Sequence, residues 1–161
     1  CGQSMNEACM NEYDSNIHEL LLDIYDKILV TEEKALHKGS FSDLSIAEMH
    51  TLEGIGLYET RTMSETAANL GITTGTLTVA VDRLARKGYV ERRRDSSDRR
   101  VVRVCLTKKG KLAFRMHNKF HKLLVDRIVS PLNETDRQLL LQLLQRISEF
   151  VGDQYQRYNL G

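Results

Sequence analysis

The chain has 161 residues, of which 41% are hydrophobic and 28% charged, with a formal net charge of +1. That length supports one good core rather than two independent domains, and no apolar run approaches the ~20 residues a membrane helix needs. Three cysteines (Cys1, Cys9 and Cys105), with no C-x-x-C pair, are too few for a disulfide framework or a zinc knuckle. With no secretory leader visible, a cytoplasmic protein is expected.

Residues 1–12 have no periodicity and are read as a disordered or expression-derived N-terminus, with Met5 or Met10 as a natural start. Asp14 or Ser15 then caps a first helix carrying Ile17, Leu20, Leu21, Ile24 and Ile28 at spacings of three and four, and Gly39 stops it. Ser45 caps a second helix with Ile46, Met49, Leu52 and Ile55, its end loosened by Gly54 and Gly56. Thr62 and Glu65 form a capping box for a third helix, which Gly71 ends by taking a positive φ. Ile72 is expected to plug the core after the turn, and Thr73 to cap a fourth helix.

On that fourth helix Leu77, Val81 and Leu84 share one side. At 100° per residue, Gly75, Thr76, Val79, Asp82 and Arg83 fall on the other side, with Thr78 at its margin. Two short strands, Tyr89 to Arg93 and Val101 to Leu106, bracket an arginine-rich tip. A long helix runs from Leu106-Thr107 to Pro131, and Asn133 caps a last one with Leu140, Leu143, Leu144, Ile147, Phe150 and Val151.

The expected fold is mainly α with a small β-wing: a winged helix-turn-helix over residues 44–110, flanked by dimerisation helices at 13–38 and 111–158. Helices with such broad apolar faces need a partner subunit, which points to a two-fold homodimer. Charge agrees with a nucleic-acid role. Residues 83–111 hold 12 basic and 3 acidic side chains, leaving 11 basic and 19 acidic elsewhere. A basic segment inside an otherwise acidic chain is the footprint of a phosphate-binding surface.

Val81-Asp82-Arg83-Leu84, Lys87-Gly88-Tyr89-Val90-Glu91-Arg92, Asp98-Arg99-Arg100 and Leu106-Thr107-Lys108-Lys109-Gly110 stand in the order and spacing of the MarR family of bacterial transcription regulators, which the chain resembles from about Asn11 to Tyr158. Outside the DNA module, Ile28 to Glu33, Leu44 to Thr51, and His117 with Phe120-His121 look like the FabT-type repressors of fatty-acid synthesis. That resemblance implies a repressor whose corepressor is a long acyl chain on acyl carrier protein. The alternative is a MarR-type regulator released from DNA by a small aromatic ligand, a metal or an oxidant.

The expected DNA-binding residues are Thr73, Thr74, Gly75, Thr76, Thr78, Val79, Arg83, Arg93, Arg94, Asp98, Arg99 and Arg100. Arg93, Arg94, Arg103, Lys108 and Lys109 supply charge for phosphates, with Thr73 and Thr74 at a helix N-terminus. The reading end of the fourth helix has no Arg, Asn or Gln for bidentate base contacts, and its threonine methyls with Val79 suit thymine instead. A palindromic, A/T-rich operator follows, its half-sites ~34–36 Å apart. Arg99 and Arg100 are placed to enter a narrow minor groove, Asp98 is expected to hold Arg100 by an ion pair, and Asp82 to brace a neighbouring arginine. Ile28, Met49, Leu52, Ile55, Met116 and Phe120 are candidate lining for an acyl tunnel, with ordinary core the plainer account of each.

His117 and His121 share a helix face, but His50, Glu48 or Glu32 would have to supply further ligands, so no metal or cofactor is assigned. Cys9 has acidic neighbours in Glu7 and Glu12, which argues against a reactive thiolate, and Cys105 is expected to be buried. No nucleophile elbow, P-loop or dinucleotide fingerprint points to an enzyme.

Overall fold

The computed structural model describes residues 11–58 and 60–159. Their elements run α1 (Glu12–Lys38), α2 (Ile46–Ile55), β1 (Arg61–Thr62), α3 (Met63–Leu70), α4 (Thr74–Arg86), β2 (Val90–Arg94), β3 (Val102–Leu106), α5 (Lys108–Val129) and α6 (Glu134–Asn159). The chain falls into two compact units divided between Ile46 and Ala47. The fold is therefore mainly helical with a small antiparallel sheet, as expected.

In the first unit, α1 begins earlier than the sequence suggests. Asn11 is its cap, its side chain accepting from the Asp14 amide at 2.9 Å, so the helix takes in Glu12. The remainder of the N-terminal segment expected to be disordered, residues 1–10, lies outside the described residues, Cys1 and Cys9 with it. Ile17, Leu20, Leu21 and Ile24 make an exposed apolar stripe on α1.

In the second unit, the core is built by Met49, Leu52 and Ile55 of α2, Leu77, Val81 and Leu84 of α4, Tyr89, and Val90, Val104 and Leu106 of the strands, all buried. The sheet order is β1-β3-β2, with Arg61 opposite Val104 and Val90 opposite Leu106. β1 has no counterpart in the sequence reading, because a two-residue strand carries no period. Gly54 does not loosen the end of α2 but sits inside it, buried. A Cβ there would collide with the Leu70 side chain, and its carbonyl accepts from Arg61 Nη1 at 2.8 Å and Asn69 Nδ2 at 2.9 Å. It is a packing glycine that lets α3 approach α2. Ile72 is not a core plug: it is 37% exposed, and Leu77 takes the buried place below the turn.

Candidate nucleic-acid interface

Local capping sets the reading helix. Thr62 accepts from the Glu65 amide at 3.1 Å while Glu65 accepts from the Thr62 amide at 2.8 Å, closing the capping box of α3. The same backbone hydrogen bond holds the Glu65 carboxyl below its ordinary pKa. Gly71 ends α3 at φ 64, where a side chain would be strained. Thr73 then caps α4, its Oγ accepting from the Thr76 amide at 3.1 Å. Leu77, Val81 and Leu84 fix the rotation of α4, so Thr73, Thr74, Gly75, Thr76, Thr78, Val79 and Arg83 are all exposed.

The threonine hydroxyls on this face are already occupied. Thr78 Oγ donates to the Thr74 carbonyl at 2.8 Å, and Thr76 Oγ pairs with Thr73 Oγ at 2.9 Å. Their hydrogen-bonding is spent largely on their own helix, and the methyl groups are what remains to offer. Gly75 is exposed with ordinary helical backbone, and a Cβ there would meet only Thr73 Oγ, at 3.9 Å. Among the described residues nothing requires glycine at that position.

The wing is β2, β3 and the loop between them. Asp95 organises it: its carboxylate accepts from the Ser97 amide and hydroxyl and from Arg103 Nε. These hydrogen bonds hold the Asp95 carboxyl far below its usual range. Arg103 Nη1 also donates to the Thr60 carbonyl at 3.0 Å. Arg103 therefore anchors the wing to the segment before β1. Lys109 is likewise engaged, donating to the Lys87 carbonyl at 2.9 Å and lying over the Tyr89 ring. Arg93 pairs with Glu91 along the same strand. Asp98 accepts from the backbone amide of Arg100 at 2.9 Å, so it shapes the turn rather than pairing with the Arg100 guanidinium. Arg94, Arg99 and Arg100 are exposed and enter none of the described ion pairs, and the same holds for Arg83 and Lys108.

One contact joins wing to reading helix. Arg92 Nη1 donates to Asp82 Oδ1 at 2.6 Å, with Nη2 3.5 Å from the Thr78 carbonyl. The bracing role of Asp82 was legible in the sequence, whereas its partner was not, because β2 returns to α4 only in three dimensions. An exposed helix face of methyls and a glycine thus lies beside a wing that presents Arg94, Arg99 and Arg100 to solvent.

The MarR family model matches residues 44–102, the span from just before α2 to the first residue of β3. A crystal structure of Streptococcus pneumoniae FabT in complex with DNA superposes with a TM-score of 0.81 at 40% identity, covering 86% of this chain and 97% of that one. The chain belongs to the MarR family. Similar sequences include the HTH-type transcriptional regulator BilQ of Clostridium symbiosum, 34% identical over 53% of this chain and 59% of that protein. Another is the uncharacterised HTH-type regulator YfiV of Bacillus subtilis, 31% identical over 66% of each. The chain thus spans under two thirds of the length of these curated relatives. MarR-family proteins are transcriptional regulators, not enzymes.

Of the residues considered for ligand binding, Met49, Leu52 and Ile55 are buried in the core of the MarR module, Met116 is half-exposed and Phe120 is intermediate. Ile28 is intermediate in the first unit. Cys105 is buried, as expected, and burial together with its hydrogen bond to Glu91 pushes the thiol up. A raised thiol holds little thiolate near neutrality, which disfavours redox sensing at this position. No described helix is long and apolar enough to cross a membrane.

Proposed function

We propose that this MarR-family protein is a homodimeric, sequence-specific transcriptional repressor that reads a palindromic, A/T-rich operator. The observation that carries this reading is the outward face of α4. Thr76, Thr78 and Val79 offer methyl groups, Gly75 allows close approach, and hydroxyls tied to the helix make bidentate base contacts unavailable. Thr73, Thr74 and the N-terminus of α4 would take a phosphate, as would Arg83, Arg93 and Arg94. Arg99 and Arg100 would enter the flanking minor groove, with Asp98 holding the turn that carries them. The exposed stripes on α1 and α6 would be covered by the second protomer, in keeping with a family whose members are dimers.

The finer reading rests on the 40% identity to S. pneumoniae FabT, whose structure holds DNA. On it, the protein controls fatty-acid synthesis genes, and a long acyl chain on acyl carrier protein strengthens DNA binding. Ile28, Met49, Leu52, Ile55, Met116 and Phe120 would meet the chain. Fluorescence anisotropy on duplexes from fatty-acid-synthesis promoters, with and without long-chain acyl carrier protein, tests both levels. Binding tightened by the acylated carrier is expected. Binding indifferent to it removes the lipid reading and leaves the repressor, whereas no binding to any duplex at low salt removes the repressor.

A further inference from the structure

Within the second unit, the end of α6 returns to the turn from which the reading helix starts. Gly71 ends α3 in the left-handed region, its amide donating to the Ala67 and Ala68 carbonyls. The next amide, of Ile72, donates to the Ala67 carbonyl at 3.0 Å, and Thr73 then caps α4. Three residues therefore set how α4 leaves α3, and both of the first two are tied back to α3. A displacement of Gly71 is passed to the N-terminus of α4 with little chain to absorb it.

Tyr155, near the end of α6, lies against this glycine. A Cβ built on Gly71 would stand 2.6 Å from the Tyr155 hydroxyl oxygen and 3.7 Å from the ring carbon that bears it. The third nearest atom, at 3.9 Å, is also in the Tyr155 ring. Tyr155 as a whole is 56% exposed, so it meets the turn with its tip. Glycine is thus required at position 71 twice over. The positive φ disfavours any side chain, and the phenol tip takes the space that a Cβ would need.

We propose that Tyr155 is a positioning residue for DNA binding, its ring tip seated on Gly71 so that the end of α6 fixes the pose of α4. The proposal rests on the outward face of α4 being the surface that reads the duplex. Tyr155 is no isolated aromatic on its helix. Leu144, Val151 and Tyr155 follow at spacings of seven and four and share one face of α6. The apolar stripe of α6 and the contact with the turn therefore belong to one rigid element. Through it, a shift of α6 changes the angle at which α4 is presented.

A double-mutant cycle between positions 71 and 155 of the full chain tests this, read by anisotropy on a labelled duplex that the parent protein binds and by denaturant unfolding. Tyr155→Phe removes the oxygen and leaves the ring carbon at an ordinary contact distance from a Cβ. Gly71→Ala meets both the φ strain and the phenol tip in the parent protein, but only the φ strain beside Phe. Its cost to duplex binding should therefore be about two- to tenfold smaller in the Tyr155→Phe background. Tyr155→Ala, which leaves Gly71 untouched, should weaken duplex binding a few-fold, while Tyr155→Phe binds as the parent does. Circular dichroism and sedimentation velocity should show the parent's fold and oligomeric state in each position-155 variant. Equal costs of Gly71→Ala in the two backgrounds would overturn the seat, and parent-like binding by Tyr155→Ala would overturn its positioning role. A parent protein that binds no duplex at low salt would instead remove the DNA-reading assignment, and the cycle in unfolding would still report whether the two residues touch.

Discussion

The reading module and the terminal helices solve opposite problems with similar residues. In the module, Leu77, Val81 and Leu84 of α4 are wholly buried by neighbours from the same chain, Arg103 is tied to Asp95 within the wing, and Arg92 ties the wing to Asp82 of α4. On α6, Leu143, Leu144, Ile147, Phe150 and Val151 recur at helical spacing yet are about half-exposed or more. The same period thus lies in the core in one place and largely uncovered, among the described residues, in the other. What separates the two is whether the chain itself supplies a covering element.

The largest effect expected from that contrast is at α6. Replacing both Leu144 and Ile147 by Asp should leave the winged module folded, convert the protein to monomers in sedimentation velocity, and abolish operator binding. If the doubly substituted protein stays dimeric, the exposed stripe of α6 has another purpose. Within the module, Leu77→Ala should cost about 2–5 kcal/mol in denaturant unfolding, because the fully buried site has no room to relax. A loss under ~1 kcal/mol would mean that the core is not closed as described.

Smaller effects separate the anchored arginines from the presented ones. Arg100→Ala should weaken operator binding about tenfold and lower the salt slope by roughly one, with stability unchanged. Unaltered affinity would remove the minor-groove contact. Asp95→Asn takes away a negative charge, which alone would favour DNA, yet it should reduce affinity a few-fold by freeing Arg103 and the loop. Tighter binding would show that wing order contributes nothing. The sign with pH follows from the lowered carboxyl. Its contribution is present above the ordinary value of 3.8 and is lost as pH falls from there toward the depressed folded-state value. Least in size is Gly75→Ala, which should raise stability by up to about 1 kcal/mol while weakening operator binding. Equal or better DNA binding would show that no base approaches this position.

What the sequence disclosed was local chemistry. Thr62 with Glu65, Gly71, and Thr73 each act within a few residues of themselves, so the turn and the start of the reading helix were legible before any fold was known. The apolar period of α4 gave its buried side for the same reason. Features that depend on distant partners were not legible. β1 is two residues long and exists only through pairing with β3, more than 40 positions on. The tertiary contacts of Arg103 with the Thr60 carbonyl and of Lys109 with the Lys87 carbonyl could not be read from a basic run. Gly54 reads as a helix breaker until Leu70 is seen lying against it. Ile72 follows the turn glycine as a core residue would, yet the turn leaves it exposed.

Binding to a palindrome against binding to its isolated half-site tests the central claim most directly. Anisotropy titrations would use a labelled duplex carrying the intact A/T-rich operator and one carrying a single half. The account predicts saturation at two protomers per intact duplex, steeply weakened by added salt, with the half-site bound far more weakly. Equal affinity for the two duplexes, or saturation at one protomer, would contradict a symmetric dimer reading DNA through paired α4 helices.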